Sequence, residues 1–320
     1  MGVAELVDRA YVADPGGLES RFQGTLLGLA VGNLLGLPVE GVPAEAIRDL
    51  YPEGVREIEA FVARPPWDDD LAQAAALAEL LVAGAFTLEA WGERLVRWWR
   101  ENGRGAGMLT RLVIEELQLG TRATEASRLV WERSGRQAAG NGAVMRCAPV
   151  ALRWRGDGAR LVEAARLSAL ATHYDPRCVW STVATLAAIA HALSGVPVEL
   201  EELAEALAQD GAPPECVRAV EAVWGSIPGD LDLDGPDMGY TLKAMQVGLW
   251  CLQEPPAFEE GMVEVVSAGG DTDTNGAVAG AVLGARFGLE AIPARWLAAI
   301  PDRRQLEELS ARLLALERGA

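Results

Sequence analysis

Two stretches of this chain carry glycine at every fourth position: Gly24, Gly28, Gly32 and Gly36 in one, Gly276, Gly280 and Gly284 in the other. At 3.6 residues per turn a four-residue repeat stays on one helical face. A face without side chains lets a second helix come close. Each interior glycine costs about 0.5–1 kcal/mol relative to alanine, so glycines aligned in this way need a packing reason. Simple tolerance of a glycine-rich composition, 35 of 320 residues, is the plain alternative. The spacing predicts two buried central helices in direct contact.

The rest of the chain reads as helix. Leu71, Ala74, Ala75, Ala78, Leu81 and Val82 follow the i, i+3, i+4 rule, as do Leu88, Trp91, Leu95, Trp98 and Trp99, and again Leu161, Ala164, Ala165, Leu167 and Ala171. Alternating β-branched and polar runs are missing, so no sheet is expected. Gly/Pro/Asp punctuation separates the helices, with Ile227 to Met238 the longest acidic loop. No repeat period and no long linker divides the chain. We expect a single compact all-α domain over residues 1–320, with its core at about 20–300 and flanking terminal segments.

Composition narrows the function classes. Half the residues are hydrophobic, which argues against disorder, and the net charge of −18 repels phosphate backbones, so no bulk nucleic-acid binding is expected. The four cysteines form no CxxC pair, so neither a thiolate zinc site nor a disulfide framework is indicated. The N-terminus lacks the basic-then-apolar order of a signal peptide. The most apolar stretch, Val179 to Val196, is interrupted by Ser181, His191 and Ser194 and falls short of a membrane span. These features together predict a cytoplasmic protein with no membrane partner.

Several segments can carry chemistry. Asp68, Asp69 and Asp70 open an apolar helix after Pro65-Pro66. One aspartate would suffice as a cap favoured by the helix dipole, whereas three in a row repel one another unless a cation neutralises them. Asp271, Thr272, Asp273 and Thr274 lie between Gly269-Gly270 and Asn275-Gly276, at the start of the second glycine-spaced stretch. A tight turn there can aim two carboxylates and a hydroxyl, all hard oxygen ligands, at one divalent ion; an ordinary Asp or Thr cap is the other reading. Glu40 follows the first glycine-spaced stretch and, alone, reads as a surface residue. The loops Glu101–Gly107 and Ala138–Arg146 are glycine-rich and precede apolar stretches, a layout in which amides can hold phosphates. They lack the spacing of a P-loop or dinucleotide fingerprint. His173 ends a helical stretch, where a structural hydrogen-bonding role is the plain reading, and His191 reads as core. The chain's four asparagines, Asn33, Asn102, Asn141 and Asn275, all fall in or beside these segments.

In this order, G-x-x-x-G-x-A-x-G-[DN]-x-x-G-x-P-x-E from Gly24, W-x-D-D from Trp67, G-N-G-x-x-M-R-x-A-P from Gly140 and G-G-D-T-D-T-N from Gly269 resemble the ADP-ribosylglycohydrolase family, of the dinitrogenase reductase-activating glycohydrolase type. The resemblance runs from about Gly24 to Trp296. It implies an orthogonal all-α bundle with a binuclear Mg²⁺ or Mn²⁺ centre that cleaves an ADP-ribosyl bond, usually the C1″ glycosidic bond. Carried over, it makes Asp69, Asp70, Asp271, Asp273 and Thr274 metal ligands, with Asp68 at the position of a ligand threonine. Glu40 becomes the glutamate that holds or activates water, and Asp69 and Asp70 take part in catalysis. Asn102, Gly103, Gly105 and Gly107, together with Gly140, Asn141, Gly142 and His173, become the substrate-cleft segments. The partners implied are ADP-ribose conjugates, protein or small molecule.

The departures from the family pattern are Asp68 for threonine, Leu71 for a second threonine, which cannot ligate, and Asn33 for the usual aspartate. Two divalent ions about 3.5–4 Å apart would orient a ribose diol and acidify a water. Two rival readings use the same residues: a silent relative that binds ADP-ribose or a nucleotide without turnover, and a metal-stabilised structural protein. The acceptor that carries the ADP-ribose and the oligomeric state stay open.

Overall fold

The glycine-spaced stretches fold as the helices Leu18–Gly36 and Thr272–Phe287. Gly24 stands opposite Gly284, Gly28 opposite Gly280, Gly32 opposite Gly276 and Gly36 opposite Thr272, so the two run antiparallel. Their backbones touch. A Cβ on Gly32 would lie 1.8 Å from the carbonyl oxygen of Gly276, and one on Gly28 would lie 2.2 Å from that of Gly280. No side chain fits at those distances, which is the packing reason for the spacing. Every residue of Gly24–Gly36 and of Thr272–Ala285 is buried.

The computed structural model describes residues 1–319. Among them are seventeen α-helices and three short 3-10 turns, with no strand. The three periodic segments form the helices Asp69–Val82, Leu88–Glu101 and Gly158–Leu170, and the all-α expectation holds. The Pro176–Ser194 helix starts where the Asp175 carboxylate accepts from the Arg177 amide and stops at Gly195 in the left-handed region. It is buried from Cys178 to Ser194. The Thr241–Gln253 helix packs between it and the glycine pair, where a Cβ on Gly248 would meet Val278 and Thr185 side chains. Among the described residues one helical stretch, Leu18–Val39, is long and apolar enough to cross a membrane, and 83% of its most apolar 18-residue window is buried inside the fold. All four cysteines are free and buried.

The core reaches past the expected 20–300. Val3, Leu6 and Val7 at one end and Leu306, Leu309, Leu313 and Leu314 at the other lie in the same apolar cluster as the central helices. Both terminal helices, Val3–Ala10 and Arg303–Arg318, turn an apolar stripe inward.

Because the glycine pair is antiparallel, the end of one helix and the start of the other meet. There the Leu37–Val39 turn leads into Glu40, and Gly269-Gly270 leads into Asp271. Three bonds stitch the segments together: the Gly41 amide to the Gly270 carbonyl (2.8 Å), the Gly270 amide to the Val42 carbonyl (3.1 Å) and the Thr272 hydroxyl to the Gly36 carbonyl (2.8 Å). Gly269 and Gly270 both sit at φ +78° with backbone pressed against them, so only glycine fits. The acidic loop covers Gly270 through Leu233. It is held by Lys243, the chain's one lysine, whose Nζ donates to the Asp232 carbonyl and to Asp237 Oδ1 (2.6 Å).

Candidate active site

The Asp69–Val82 helix points its N-terminus at the same place. Its entry is fixed from outside: Trp67 Nε1 donates to the Pro301 carbonyl (3.0 Å), and Asn102 Nδ2 donates to the Trp67 carbonyl (2.8 Å). Asp68 and Asp271 occupy the cap positions of their helices, yet neither carboxylate makes a capping bond. Asp271 Oδ2 accepts from Asn141 Nδ2 instead, at 2.8 Å. The plain capping reading therefore fails for both runs of aspartates.

Two acidic triads result. Carboxylate oxygens of Glu40, Asp271 and Asp273 lie within 4.8 Å of one another, and so do those of Asp68, Asp69 and Asp70. Glu40, Asp69, Asp70, Asp271, Asp273 and Thr274 line one cavity of about 250 Å³. Gly105, Gly107, Gly140, Asn141, Gly142 and His173 also line it, with Met108, Leu109, Thr110 and Met145. Gly105, at φ +80°, leaves the room the acids need: a Cβ there would stand 2.5 Å from Asp68 Oδ1 and Asp69 Oδ1. Larger surface clefts, one of about 570 Å³ beside Arg21 and Arg286, lie elsewhere and hold none of these groups.

The electrostatics are those of crowded, buried anions. Burial first, then the neighbouring carboxylates, push Asp69 up to about 8 and hold Asp70 and Asp273 well above the ordinary aspartate range. Burial raises Glu40 as well, with Asp271 and Asp68 adding to it. Among the described residues two cations answer: Arg104, 3.6 Å from Asp68, and Arg146, which opposes the shift of Asp69. Oδ1 of Asp70 and Oδ1 of Asp273 are buried and accept no hydrogen bond. Unpartnered buried carboxylate oxygens are costly. Six hard oxygen donors around a small cavity, two with an oxygen left unpaired, could hold a divalent cation.

The structure divides the expected glycine loop. Gly105 and Gly107 reach the cavity, but Asn102 and Gly103 do not: Asn102 ties the loop to Trp67, and Gly103 packs on the Trp99 ring. Asp68 stands behind Asp69 rather than in the cavity wall. Leu71 is buried in the main core. Asn33 points its amide at Asp68 without completing a hydrogen bond, and the Asn275 amide is likewise buried and unpartnered.

Sequence reasoning missed Arg146, Gln73 and Thr172. All three side chains are fully buried beneath the cavity. Gln73 Nε2 donates to Asp69 Oδ2 (3.4 Å), Arg146 donates to Gln73 Oε1 and to Thr172 Oγ1, and Thr172 Oγ1 lies 2.7 Å from His173 Nδ1. Burial, with Arg146 adding to it, pushes His173 down to about 3, so its ring is neutral. The sequence signals were an arginine inside the apolar run AVMRCAPVAL and its place in the G-N-G-x-x-M-R-x-A-P segment.

Residues 14–320 match the family model described as ADP-ribosylglycohydrolase. The chain is 27% identical to an ADP-ribosylarginine hydrolase of Pseudomonas putida, over 96% of this chain and 81% of that one. It is 28% identical to the ADP-ribosyl-[dinitrogen reductase] glycohydrolase of Rhodospirillum rubrum, over 92% and 97%. A solved structure described as an ADP-ribosylglycohydrolase-related protein complex superposes with a TM-score of 0.74 at 32% identity, covering 94% of this chain and 99% of that one.

Proposed function

The chain belongs to the ADP-ribosylglycohydrolase family, and from that membership we propose that it is a metal-dependent hydrolase that splits the C1″ bond of an ADP-ribosyl conjugate. The observation that carries the reading is the pair of facing acidic triads with unpaired buried oxygens, roofed by the Gly140–Gly142 loop. Asp69, Asp70, Asp271, Asp273 and Thr274 would hold two divalent cations, with Asp68 beside them. When bound, such cations supply charge neutralisation and Lewis acidity toward a ribose diol and a water.

The protein's own groups do the rest. Glu40, at the cavity edge with its carboxyl raised by burial, takes the proton of the attacking water. The carboxylates around C1″ favour the positive charge that develops there as the bond to the acceptor breaks. Gly140, Asn141 and Gly142 present backbone and one amide, with no bulky side chain, to the ADP-ribosyl group. Asn141, bonded to Asp271, ties that loop to the acids. The relatives named for arginine-linked and dinitrogen reductase-linked ADP-ribose make a guanidinium acceptor the first conjugate to assay.

The test is a melting scan of metal-stripped protein with Mg²⁺, Mn²⁺ or Ca²⁺, each with and without ADP-ribose, followed by turnover of ADP-ribosyl-arginine. We expect a metal-dependent rise that grows with ADP-ribose, and release of free ADP-ribose. Binding without turnover on any conjugate would make the chain a silent relative. No response to metal or to ADP-ribose would remove the proposal.

A further inference from the structure

Beneath the Gly140–Gly142 loop, the His173 ring fills the space that glycine leaves. A Cβ on Gly142 would lie 3.0 Å from Nε2, and one on Gly140 would lie 3.5 Å away. His173 lines the cavity although it is only 2% exposed, and Nε2, the ring nitrogen not engaged by Thr172, is the one left to face it. A neutral imidazole carries one proton, and which nitrogen holds it decides whether the cavity meets a donor or an acceptor.

The neighbours settle that choice. Arg146 has donors only, so the Thr172 oxygen accepts from it. The hydroxyl proton then needs an acceptor of its own. Among the described residues the one placed to take it is His173 Nδ1, at 2.7 Å. Nδ1 is thus bare, and the proton sits on Nε2, facing the cavity. The same guanidinium bonds Gln73 Oε1, which turns the Gln73 NH₂ toward Asp69 Oδ2. A fully buried arginine is rare. Here it is held over the Trp91 ring, 5.3 Å from its centroid, and it orients an acid of the cation cluster on one side and the cavity's imidazole on the other.

We propose that Arg146 and Thr172 are positioning residues that fix His173 as the Nε2–H tautomer, presenting a hydrogen-bond donor to an oxygen of the bound ADP-ribosyl group. The donor's role rests on the function proposed above; the tautomer does not.

The chain has only two histidines, which makes the test clean. His191 Nδ1 lies 3.3 Å and 3.2 Å from the carbonyl oxygens of Val196 and Pro197, so its proton is on Nδ1 and it serves as an internal reference of the opposite kind. Nitrogen-15 NMR of histidine-labelled protein should show His173 protonated at Nε2 and His191 at Nδ1. Thr172→Val keeps the shape and removes the hydroxyl. It should give His173 mixed tautomers and weaken ADP-ribose binding about tenfold, as expected for one misdirected hydrogen bond, with the Mg²⁺ response unchanged. Thr172→Ser should restore both.

A wild-type His173 protonated at Nδ1 would overturn the proposal, as would a Thr172→Val protein with unaltered tautomer and affinity. Failure of the wild-type protein to bind ADP-ribose would overturn the donor's role through the functional reading, and the NMR result would tell that failure from a failure of the relay.

Discussion

Gly32→Ala tests the claim that the central helices meet backbone to backbone. The added carbon would stand 1.8 Å from the Gly276 carbonyl oxygen and 2.3 Å from its carbon. Ordinary contact needs more than 3 Å, so the helices must part by more than 1 Å, with no flexible side chain to yield. Overpacking against movable side chains costs about 1–3 kcal/mol, and a rigid obstacle puts this substitution at about 3 kcal/mol or more. Alanine's better helix propensity returns only about 1 kcal/mol. Gly92→Ala is the control, a helical glycine whose new carbon would meet only the Ala123 methyl group at 3.2 Å and Leu117. It should stay within about 1 kcal/mol of wild type. Urea unfolding of the three proteins reads the difference, and the Mg²⁺ response should fall with Gly32→Ala because one parted helix carries Asp273 and the other leads through the Leu37–Val39 turn to Glu40. A Gly32→Ala protein as stable as the Gly92→Ala control would refute the argument.

Three further outcomes follow from the site. Asp69, Asp70 and Asp273 hold protons in the folded, metal-free protein that the unfolded chain releases from about pH 4. Their contribution is therefore full below about pH 4 and lost as pH rises through about 8, the value for Asp69. Urea midpoints in chelator should fall between pH 5 and 8.5, and a rising profile would contradict the burial of these acids. Asp273→Asn should abolish the Mg²⁺-dependent rise in melting temperature while making the metal-free protein more stable at pH 8.5, by about 1 kcal/mol or more, since asparagine stays buried without having to take up a proton; retention of the Mg²⁺ response would remove Asp273 from the ligand set. Glu40→Gln should keep the Mg²⁺ response and lose at least about 100-fold in turnover, and near-normal turnover would take the proton-accepting role from Glu40.

Much of the fold was legible because its central contact is written locally. Glycine at every fourth position states both which face is bare and how near a neighbour comes, and Gly24 to Gly36 met Gly276 to Gly284 accordingly. The acid runs were legible for the same reason, since Asp68 to Asp70 and Asp271 to Asp273 are each contiguous. The Arg146 network was not. It joins positions 73, 146 and 172, which only the folded chain brings together; Arg146 stands in the G-N-G-x-x-M-R-x-A-P segment, but nothing local ties it to Gln73 or Thr172. The Asn102–Gly107 loop shows a second limit. The family resemblance placed the whole loop in the substrate cleft, but the turn at Gly103 (φ +62°) sends Asn102 toward Trp67 and leaves Gly105 and Gly107 at the acids. A glycine-rich segment reveals that the backbone bends, while the direction of the bend depends on what it packs against.

The single lysine offers a view of the molecule in motion. Lys243 is 6% exposed and tied into the acidic loop that lies over Gly270. An amine-reactive reagent therefore has one buried target, reachable only when the loop lifts away. Its rate of labelling counts those openings, as amide exchange counts local unfolding. Saturating the cavity with cation and ligand should slow that clock if the loop and the acids beneath it move as one.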